Sequence, residues 1–383
     1  MNKKVYTIII FLFLYFSLLA GYTLPESSAS GECVGAVTGK FTALGSTVIL
    51  GEEWTNPALL IRTPGFKVMI GGGFIKSGER RKKSIFDTFD NRIGDVTVAD
   101  NSFVFSEPTC ISVSYTSHLN FGLGINVLPV LNFDYRYLRE ARDDFYVLKE
   151  TILDEGKGKL YLTNIGIAYE LLEEKLSIGF GFNLYSGKRE WEYSKNYTDP
   201  FQTDIKEGFS RTLAGNGAIF GIHAQPLTRV KLGGFMSTKA NLGDYREDNI
   251  PLMMGSGIKI IPPNIFPALL IIEAIFERWN EVDDDYEDVI KLHLGVEHEF
   301  SPAFSGRFGF GYETSYLSKD MPKVFFTFGF GFEKSRYAFD TGIKVCRFNF
   351  SGDDILMEQR DMEGVTKVEE SLIKLMLSIT YRR

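Results

Sequence analysis

The stretch FSGRFGFGYETSYL, residues 304–317, alternates apolar or aromatic side chains with small or polar ones at almost every position. The stretches LSIGFGFNLY (176–185), IKLHLGVEHEF (290–300) and KVFFTFGFGFE (323–333) repeat that period. A period of two places alternate side chains on opposite faces of a β-strand. The pattern therefore predicts an all-β chain whose strands each have one apolar and one polar face.

Fourteen strands of this kind are predicted from Phe66 onward. They lie near residues 66–76, 102–117, 119–133, 159–171, 176–190, 212–223, 229–239, 251–262, 268–279, 287–300, 304–316, 323–333, 336–349 and 368–382. The segment 268–279 could equally form a short buried helix, because a short apolar run fits both structures.

The links between these strands alternate in length. Tight turns are predicted at 117–118, 172–175, 225–228, 301–303 and 334–335, and long charged loops at 77–101, 134–158, 191–211, 280–287 and 351–367. An even number of strands with short periplasmic turns and long external loops is typical of outer-membrane barrels. A soluble sandwich also alternates, but the long aromatic faces with tyrosines near their ends favour lipid contact. We therefore expect an antiparallel transmembrane β-barrel of about 14 strands over residues 62–383.

The start of the chain has the layout of an export signal. Lys3 and Lys4 precede an apolar run from Tyr6 to Ala20, which is short for a membrane-spanning helix. A signal peptide over residues 1–20 is expected, with cleavage after Ala20 or as late as Ser30. Together with the barrel pattern, this predicts the bacterial outer membrane as the location of the mature chain.

Composition excludes several classes of function. The formal net charge of −7 gives no electrostatic basis for binding nucleic acid. The cysteines at 33, 110 and 346 are too few and too scattered for a disulfide framework or a zinc site, and we expect them to be unpaired. The histidines at 118, 223, 293 and 298 lack metal-ligand spacing, and the acidic segment 282–288 lacks the glycine of a calcium-binding loop. No nucleophile and base lie on neighbouring strands, so neither an enzyme nor a cofactor or metal is expected.

A segment of about thirty residues, 31–61, separates the signal from the first strand and is too small to be a domain. Its sequence GAVTGKFTALGSTVILGEEWTNPALL ends in Asn56, Pro57 and Ala58. It resembles the N-terminal hatch of the FadL-type outer-membrane transporters of long-chain fatty acids and other hydrophobic compounds. Stretches between residues 278 and 383 resemble divergent members of the same superfamily. The resemblance implies a barrel plugged by residues 31–61, with Asn56, Pro57 and Ala58 as hatch residues.

The inward-facing side chains can be sorted by height if the N-terminus is periplasmic. The lower set is polar: Asn120, Glu170, Ser177, Glu297, Glu299, Ser305, Arg307 and Glu333. The upper set is apolar: Leu128, Val130, Leu160, Leu162, Leu317, Phe325, Phe348, Leu372 and Met376. A hydrophobic ligand pocket would explain the upper set. External loops that fold inward and pack on these residues would explain it equally well.

The function expected from these features is passive uptake of hydrophobic, fatty acid-like molecules through the upper pocket, gated by the hatch. The expected partners are hydrophobic small molecules or lipids and the outer-membrane lipid, and the chain is expected to be a monomer. Two other classes remain open. One is a barrel that serves as a platform for protein interaction, as a surface adhesin or a secretion component, and the other is a general porin, which the apolar upper lumen disfavours.

Overall fold

A computed structural model describes residues 25–62, 65–117, 120–143, 145–263, 267–350 and 367–383. The predicted signal peptide, residues 1–20, and nearly all of the loop predicted at 351–367 lie outside these residues. The helices and strands named below are numbered in chain order within the described part of the chain.

Fourteen antiparallel strands form a closed barrel, as the sequence predicts. Strands β2 to β4 and β6 to β16 each pair with the next member of this series, and pairing of β16 with β2 closes the ring. Two further strands accompany the ring: β5 pairs with β6, and the two-residue β1 pairs with β4. Closure matters because it satisfies the backbone hydrogen bonds within the protein, as a segment that crosses lipid requires.

The described strands have the following bounds: β1 Glu32–Cys33, β2 Gly65–Phe86, β3 Arg92–Ser117, β4 Phe121–Asn132, β5 Tyr135–Arg142, β6 Leu148–Leu172, β7 Leu176–Tyr197, β8 Ile205–Leu227, β9 Val230–Ser237, β10 Met253–Ile260, β11 Ala268–Glu277, β12 Val289–Ser301, β13 Phe304–Glu313, β14 Lys323–Lys334, β15 Tyr337–Phe350 and β16 Lys367–Arg382. The segment at 268–279, which could also have been a helix, is strand β11.

The two faces of the strands differ as the alternation predicts. On β14, Phe326, Phe328 and Phe330 are 53%, 49% and 53% exposed, whereas Phe325 and Thr327 are 0% exposed. The phenylalanines point away from the barrel, where lipid replaces water around them, and the alternate residues point into the lumen. The barrel is therefore of the transmembrane kind, with an apolar outer surface and a filled interior.

Three loops expected from the sequence are instead β-structure. Residues predicted as loops at 77–101, 134–158 and 191–211 largely continue strands β2, β3, β6, β7 and β8, which are 22 to 26 residues long. A strand needs only about 9–11 residues to cross the bilayer. The extra length carries polar side chains on both faces, with Arg80 and Asp100 on the exposed face and Glu79 and Arg81 on the buried one, so it has no apolar period. This loop prediction was wrong because only the membrane-crossing part of a strand needs a two-sided pattern.

The two ends of the barrel differ. At one end the links are short, at 173–175, 228–229, 302–303 and 335–336. The start of β2 and the end of β16 lie at this end, where the backbone N–H of Phe66 donates to the carbonyl of Arg383. The other end carries the long strands and long links. Because short turns face the periplasm in barrels of this class, the short-turn end is assigned to the periplasm.

Helical structure is sparse. The described helices are α1 (Pro25–Ser28), α2 (Gly39–Ala43) and three 3₁₀ turns at Pro57–Arg62, Arg246–Asp248 and Trp279–Glu281. Within the part of the chain that the structure describes, no helix is long and apolar enough to cross a membrane. The three cysteines are all unpaired, as expected.

Residues 25–62, called the plug below, fill the lumen. Helix α2 packs against β13 to β16 on one side of the barrel, and the 3₁₀ turn Pro57–Arg62 packs against β3, β4, β6, β7 and β8 on the other side. Because these two parts of the plug contact nearly opposite walls, the plug crosses the inside of the ring.

Candidate functional site in the lumen

A single barrel carboxylate holds the middle of the plug. Glu273, on β11, accepts hydrogen bonds from the backbone N–H groups of Val48, at 2.6 Å, Ile49, at 3.0 Å, and Leu50, at 2.9 Å. Successive N–H groups that converge on one anion form a favourable electrostatic cradle. Glu273 therefore fixes residues 48–50 against the wall. Its only signal in the sequence is an acid on an otherwise apolar strand.

The predicted hatch residues connect the plug to a second part of the barrel wall, at β8. The side-chain amide of Asn56 donates to the carbonyl of Ile49, at 3.1 Å, and to that of Ile222 on β8, at 3.0 Å. Its oxygen accepts the backbone N–H of Ala58 at 3.2 Å. Pro57 begins the 3₁₀ turn, a position where its missing N–H costs nothing. Asn56 thus joins two parts of the plug and the barrel wall through one buried side chain.

Further contacts hold the plug at Ala43 and Gly45 and at its last residue, Arg62. The hydroxyl of Thr327 donates to the carbonyl of Ala43 at 2.8 Å and accepts the N–H of Gly45 at 2.8 Å. Arg62 pairs with Glu170 at 3.1 Å. The plug is therefore attached by hydrogen bonds to strands on several sides of the ring rather than by apolar packing alone.

Inward-facing strand glycines let the plug backbone lie directly on the wall. A Cβ atom at Gly309 would lie 2.0 Å from the N of Gly45, and one at Gly179 would lie 2.3 Å from the N of Ala58. At Gly71–Gly73 the β2–β3 register shifts, and a Cβ at Gly71 would lie 2.8 Å from the Val37 carbonyl. At Gly71, Gly179 and Gly309, the absence of a side chain thus lets the plug backbone contact the strand directly.

A cavity of about 170 Å³ lies above the plug, toward the long-loop end. Its walls are mainly apolar: Leu128, Pro129, Val130, Leu131, Leu162, Tyr185, Ile219, Phe235, Ile250, Met253, Ile275 and Trp279. Plug residues, among them Ser46, Val48, Trp54 and Thr55, form its floor. The walls of this upper cavity are strand side chains and its floor is the plug, so a movement of the plug would change the shape of the cavity.

One side of the upper cavity is polar but internally paired. Lys291 contacts Glu277 at 2.5 Å, and the imidazole of His293 lies 2.9 Å from Glu313. Lys344 lies 3.9 Å from Glu313 and stacks over the ring of Phe325, with its Nζ 3.6 Å from the ring centre. Because these charges compensate one another, the polar side does not require a charged ligand.

The structure divides the nine side chains predicted to line a pocket into three groups. Leu128, Val130 and Leu162 line the upper cavity, and Leu128 and Leu162 lie directly opposite each other on β4 and β6. Phe348 and Leu372 line a neighbouring cavity of about 40 Å³. Leu160, Leu317, Phe325 and Met376 are buried and line neither of these two cavities.

Inward-folded links account for part of the third group. Leu160, Leu317 and Phe325 belong to the same buried apolar cluster as the link residues Trp279, Tyr286 and Tyr316, and this cluster also extends to Leu128 and Leu162. The rings of Trp279 and Tyr316 stack with their centres 4.3 Å apart. The upper lumen therefore contains both an apolar cavity and inward-packed links, at different places.

Several cavity residues were missed by sequence reasoning. Trp54 belongs to the plug, whose path through the lumen has no periodic signal. Tyr185, Phe235 and Ile275 do lie on the inward face of predicted strands, and assigning heights to β7, β9 and β11 would have found them. Their common feature is position near the upper half of the barrel rather than any motif.

The wall beside the upper cavity has an unusual pairing. Strand β4 pairs with β3 from Phe121 to Val127, whereas Leu131 and Asn132 pair with Cys33 and Glu32 of β1. The N–H of Val34 also donates to the carbonyl of Val130, at 3.1 Å. At the level of the cavity, a piece of the plug thus takes the place that β3 holds lower down.

Comparison with known proteins identifies the fold. No protein-family profile and no curated protein matches the sequence. Among solved structures, a FadL homologue of Pseudomonas aeruginosa is 12% identical over 92% of this chain and 99% of that chain, with a TM-score of 0.68. The toluene transporter TbuX of Ralstonia pickettii is 12% identical over 91% and 99%, with a TM-score of 0.62. The toluene transporter TodX of Pseudomonas putida is 13% identical over 92% and 99%, with a TM-score of 0.61.

At these identities the likeness concerns the architecture, and it extends over almost the full length of each protein. The resemblance seen in the sequence is confirmed at that level: this chain has the fold of the FadL-type outer-membrane channels.

Proposed function

We propose that this protein is a passive channel for the uptake of apolar small molecules across the outer membrane. The observation that carries the proposal is the upper cavity, which has apolar strand walls and a floor made by the plug. A general porin needs an open aqueous lumen, whereas here the plug crosses the lumen and is bonded to its walls. The arrangement suits a channel that binds its ligand before passing it on.

The size of the cavity favours a compact ligand in the closed state. An apolar cavity of about 150 Å³ in another protein is large enough to bind benzene, and the upper cavity is about 170 Å³. A single aromatic ring or a short piece of an acyl chain fits that space, while a whole long-chain fatty acid would require the plug to move. The fold neighbours named as toluene transporters support the smaller, aromatic ligand class.

The proposed route has three stages. The ligand is captured among the external links, enters the upper cavity, and leaves when the plug shifts. The pairing of β1 with β4 supports a sideways exit, because withdrawal of Glu32–Val34 would uncover the edge of β4 beside Leu128 and Val130. Exit downward past Trp54 is the other route, and it requires the larger displacement of residues 46–55.

The proposal can be tested on purified protein in nanodiscs of neutral lipid, with toluene binding observed by ligand-detected NMR. Wild type should bind toluene, and the double variant Leu128→Asn and Leu162→Asn should lose at least about tenfold in affinity, because two polar amides would face the cavity. Leu227→Asn, at an exposed site near the short-turn end, is the matched control and should bind as wild type does. Equal binding by all three proteins would refute the proposal.

A second candidate, a platform for protein interaction, is favoured by one observation. The three hairpin tips at 87–91, 143–147 and 198–204 each contain an Asp that accepts, through its side chain, the backbone N–H of a Phe two residues later. Phe89, Phe145 and Phe201 are 82%, 86% and 95% exposed. If replacing all three with Ala abolishes attachment of cells to a surface and leaves toluene uptake unchanged, the tips serve as a platform.

A further inference from the structure

A second cavity, of about 230 Å³, lies on the periplasmic side of the plug. It is lined by residues near the short-turn ends of the strands, including Lys67, Lys231, Lys259 and Arg382. Glu52 and Trp54 line both this lower cavity and the upper one, so the plug separates them at these two side chains. The lower cavity is therefore the first space that an inward-moving molecule would meet beyond the plug.

The lower cavity has an excess of positive charge. Its lining contains six basic side chains, Lys40, Arg62, Lys67, Lys231, Lys259 and Arg382, and three acidic ones, Glu52, Glu53 and Asp340. Each acid already has a partner: Glu53 pairs with Lys67, Asp340 pairs with Arg307 at 2.7 Å, and Glu52 accepts the Thr38 hydroxyl at 3.0 Å. Lys40, Arg62 and Arg382 pair with Glu297, Glu170 and Glu333.

The two remaining lysines of this cavity, Lys231 and Lys259, have no such partner in the described ranges and lie opposite each other. Lys231 on β9 lies directly opposite Lys259 on β10 in the antiparallel register. Within the described parts of the chain, neither has a carboxylate within ion-pair distance. Like charges directly opposite in a sheet are destabilising, so this pair costs stability that a compensating anion would restore.

A histidine completes the cluster on the adjacent strand. His223 on β8 pairs with Gly233, two residues from Lys231 on the same inward face. It lines the lower cavity, is only 2% exposed, and its Nδ1 has no hydrogen-bond partner among the described residues. A buried imidazole nitrogen without a partner is costly unless a ligand or water satisfies it.

We propose that Lys231, Lys259 and His223 form a binding site for a single anionic group, a carboxylate or a phosphate. The two ammonium groups would supply charge-assisted hydrogen bonds, and the imidazole nitrogen would supply a third contact. Apolar residues of the same cavity, such as Phe41 and Leu269, would accommodate a chain attached to that group. The anion is either the head group of an amphipathic molecule or a free inorganic ion.

The experiment uses the full mature chain in nanodiscs of phosphatidylcholine at pH 7 and low ionic strength, where charge effects are least screened. Octanoate, octan-1-ol and inorganic phosphate are titrated separately by calorimetry into wild type and the double variant Lys231→Gln and Lys259→Gln. The matched control is Lys175→Gln with Lys334→Gln, which removes two exposed lysines from the same end of the barrel. His223→Gln is the third variant.

Wild type should bind octanoate, and the Lys231/Lys259 variant should lose about tenfold or more in affinity, since charged hydrogen bonds are lost. The control should bind octanoate as wild type does, His223→Gln should weaken binding less, and binding of octan-1-ol should not differ between variants. If phosphate also binds to wild type and is weakened in the Lys231/Lys259 variant, the site binds a free anion. If octanoate binds and phosphate does not, the site binds the head group of an amphipathic molecule. Unchanged octanoate and phosphate binding in the Lys231/Lys259 variant, or no anion binding by wild type, would overturn the proposal.

A thermal measurement shows whether misfolding, rather than loss of the two charges, explains weaker octanoate binding by the variant. Because the substitutions remove a repulsion, the heat-induced unfolding temperature of the Lys231/Lys259 variant without ligand should equal or exceed that of wild type. This site lies across the plug from the upper cavity, so its test is independent of the proposed uptake function. Failure of toluene binding would leave the anion result unaffected.

Discussion

Glu273 accepts the backbone N–H of Val48 at 2.6 Å, and the same carboxylate also accepts the N–H groups of Ile49 and Leu50. One barrel side chain therefore fixes three consecutive plug residues, of which Val48 forms part of the floor of the upper cavity. The position of that floor depends on a small number of polar contacts, and this makes the gating role of the plug accessible to substitution.

Replacing Glu273 with Gln should loosen the plug and leave the barrel intact. The amide keeps the shape but loses the charge and one acceptor, and hydrogen bonds to charged groups contribute about 1.5–3 kcal/mol. Hydrogen exchange at residues 46–51 should accelerate, while the heat-dependent shift in gel mobility stays that of wild type. Glu333→Gln, at an exposed barrel site, is the control, and equal exchange in all three proteins would show that Glu273 does not hold the plug.

Asn56→Ala should impair uptake without impairing assembly. The substitution leaves the carbonyls of Ile49 and Ile222 without their donor and Ala58 without its acceptor, all in a buried setting. The expected cost to plug attachment is about 1–3 kcal/mol. Surface amount and toluene uptake by intact cells measure the two effects separately. Asn196→Ala, at an exposed site, provides the comparison, and normal uptake by Asn56→Ala would show that Asn56 only shapes the plug.

Gly179→Ala should displace the last turn of the plug. The added Cβ would lie 2.3 Å from the N of Ala58, closer than real contacts allow, while the strand itself tolerates alanine. Protease sensitivity of residues 52–62 should rise in the folded barrel. A Cβ atom at Gly94 would have no other atom within 4 Å, so Gly94→Ala should behave as wild type. Protection identical to wild type in Gly179→Ala would mean that the plug adapts without moving.

Plug attachment should weaken at alkaline pH. Burial raises the pKa of Glu52 to about 8; the nearby Glu273 carboxylate adds to this rise, and the Thr38 hydroxyl and Lys374 oppose it. Because the folded pKa lies above the ordinary value of 4.5, the stability contributed by neutral Glu52 is complete below about 4.5 and is lost as the pH rises through about 8. Hydrogen exchange of residues 46–55, corrected for intrinsic rates, should be faster at pH 9 than at pH 6. Glu52→Gln should remove this difference, and an unchanged difference would assign the effect to another group.

Lipid-facing and lumen-facing substitutions should separate assembly from binding. Phe328 is on the outer face and 49% exposed, so Phe328→Lys should cost roughly 2–4 kcal/mol if the residue lies near the middle of the membrane. Leu162→Lys places the same charge in the upper cavity and should spare assembly. Refolding yield into lipid vesicles distinguishes the two. A lower refolding yield for Leu162→Lys than for Phe328→Lys would show that the inward and outward faces of the strands have been exchanged.

Sequence patterns predicted the membrane-crossing strands because lipid on one side and a packed lumen on the other impose a two-sided period. They failed above the membrane, where the buried face of β2 is also polar, with the charges of Glu79 and Arg81, and the apolar alternation disappears. Strand β5 was missed for the same reason, since Tyr135–Arg142 carries charges on both faces.

The candidate site was predicted only in part. Height along a strand selected Leu128, Val130 and Leu162, which line the upper cavity, but it also selected Leu160 and Phe325, which do not. The difference depends on where the plug and the inward-folded links lie, and their side chains follow no period. Asn56 was singled out by the resemblance of its motif to the FadL-type hatch, whereas Glu273 and the Lys231–Lys259 pair depend on strand register, which residue spacing alone does not determine.

The most direct test of the uptake function is the initial rate at which intact Gram-negative cells take up radiolabelled toluene at limiting concentration. Three strains are compared: one producing wild type, one producing Leu162→Lys at equal surface amount, and one carrying an empty vector. The account predicts uptake several-fold above vector for wild type and close to vector for Leu162→Lys. Equal rates in the wild-type and vector strains, with the folded barrel present at the surface, would contradict it.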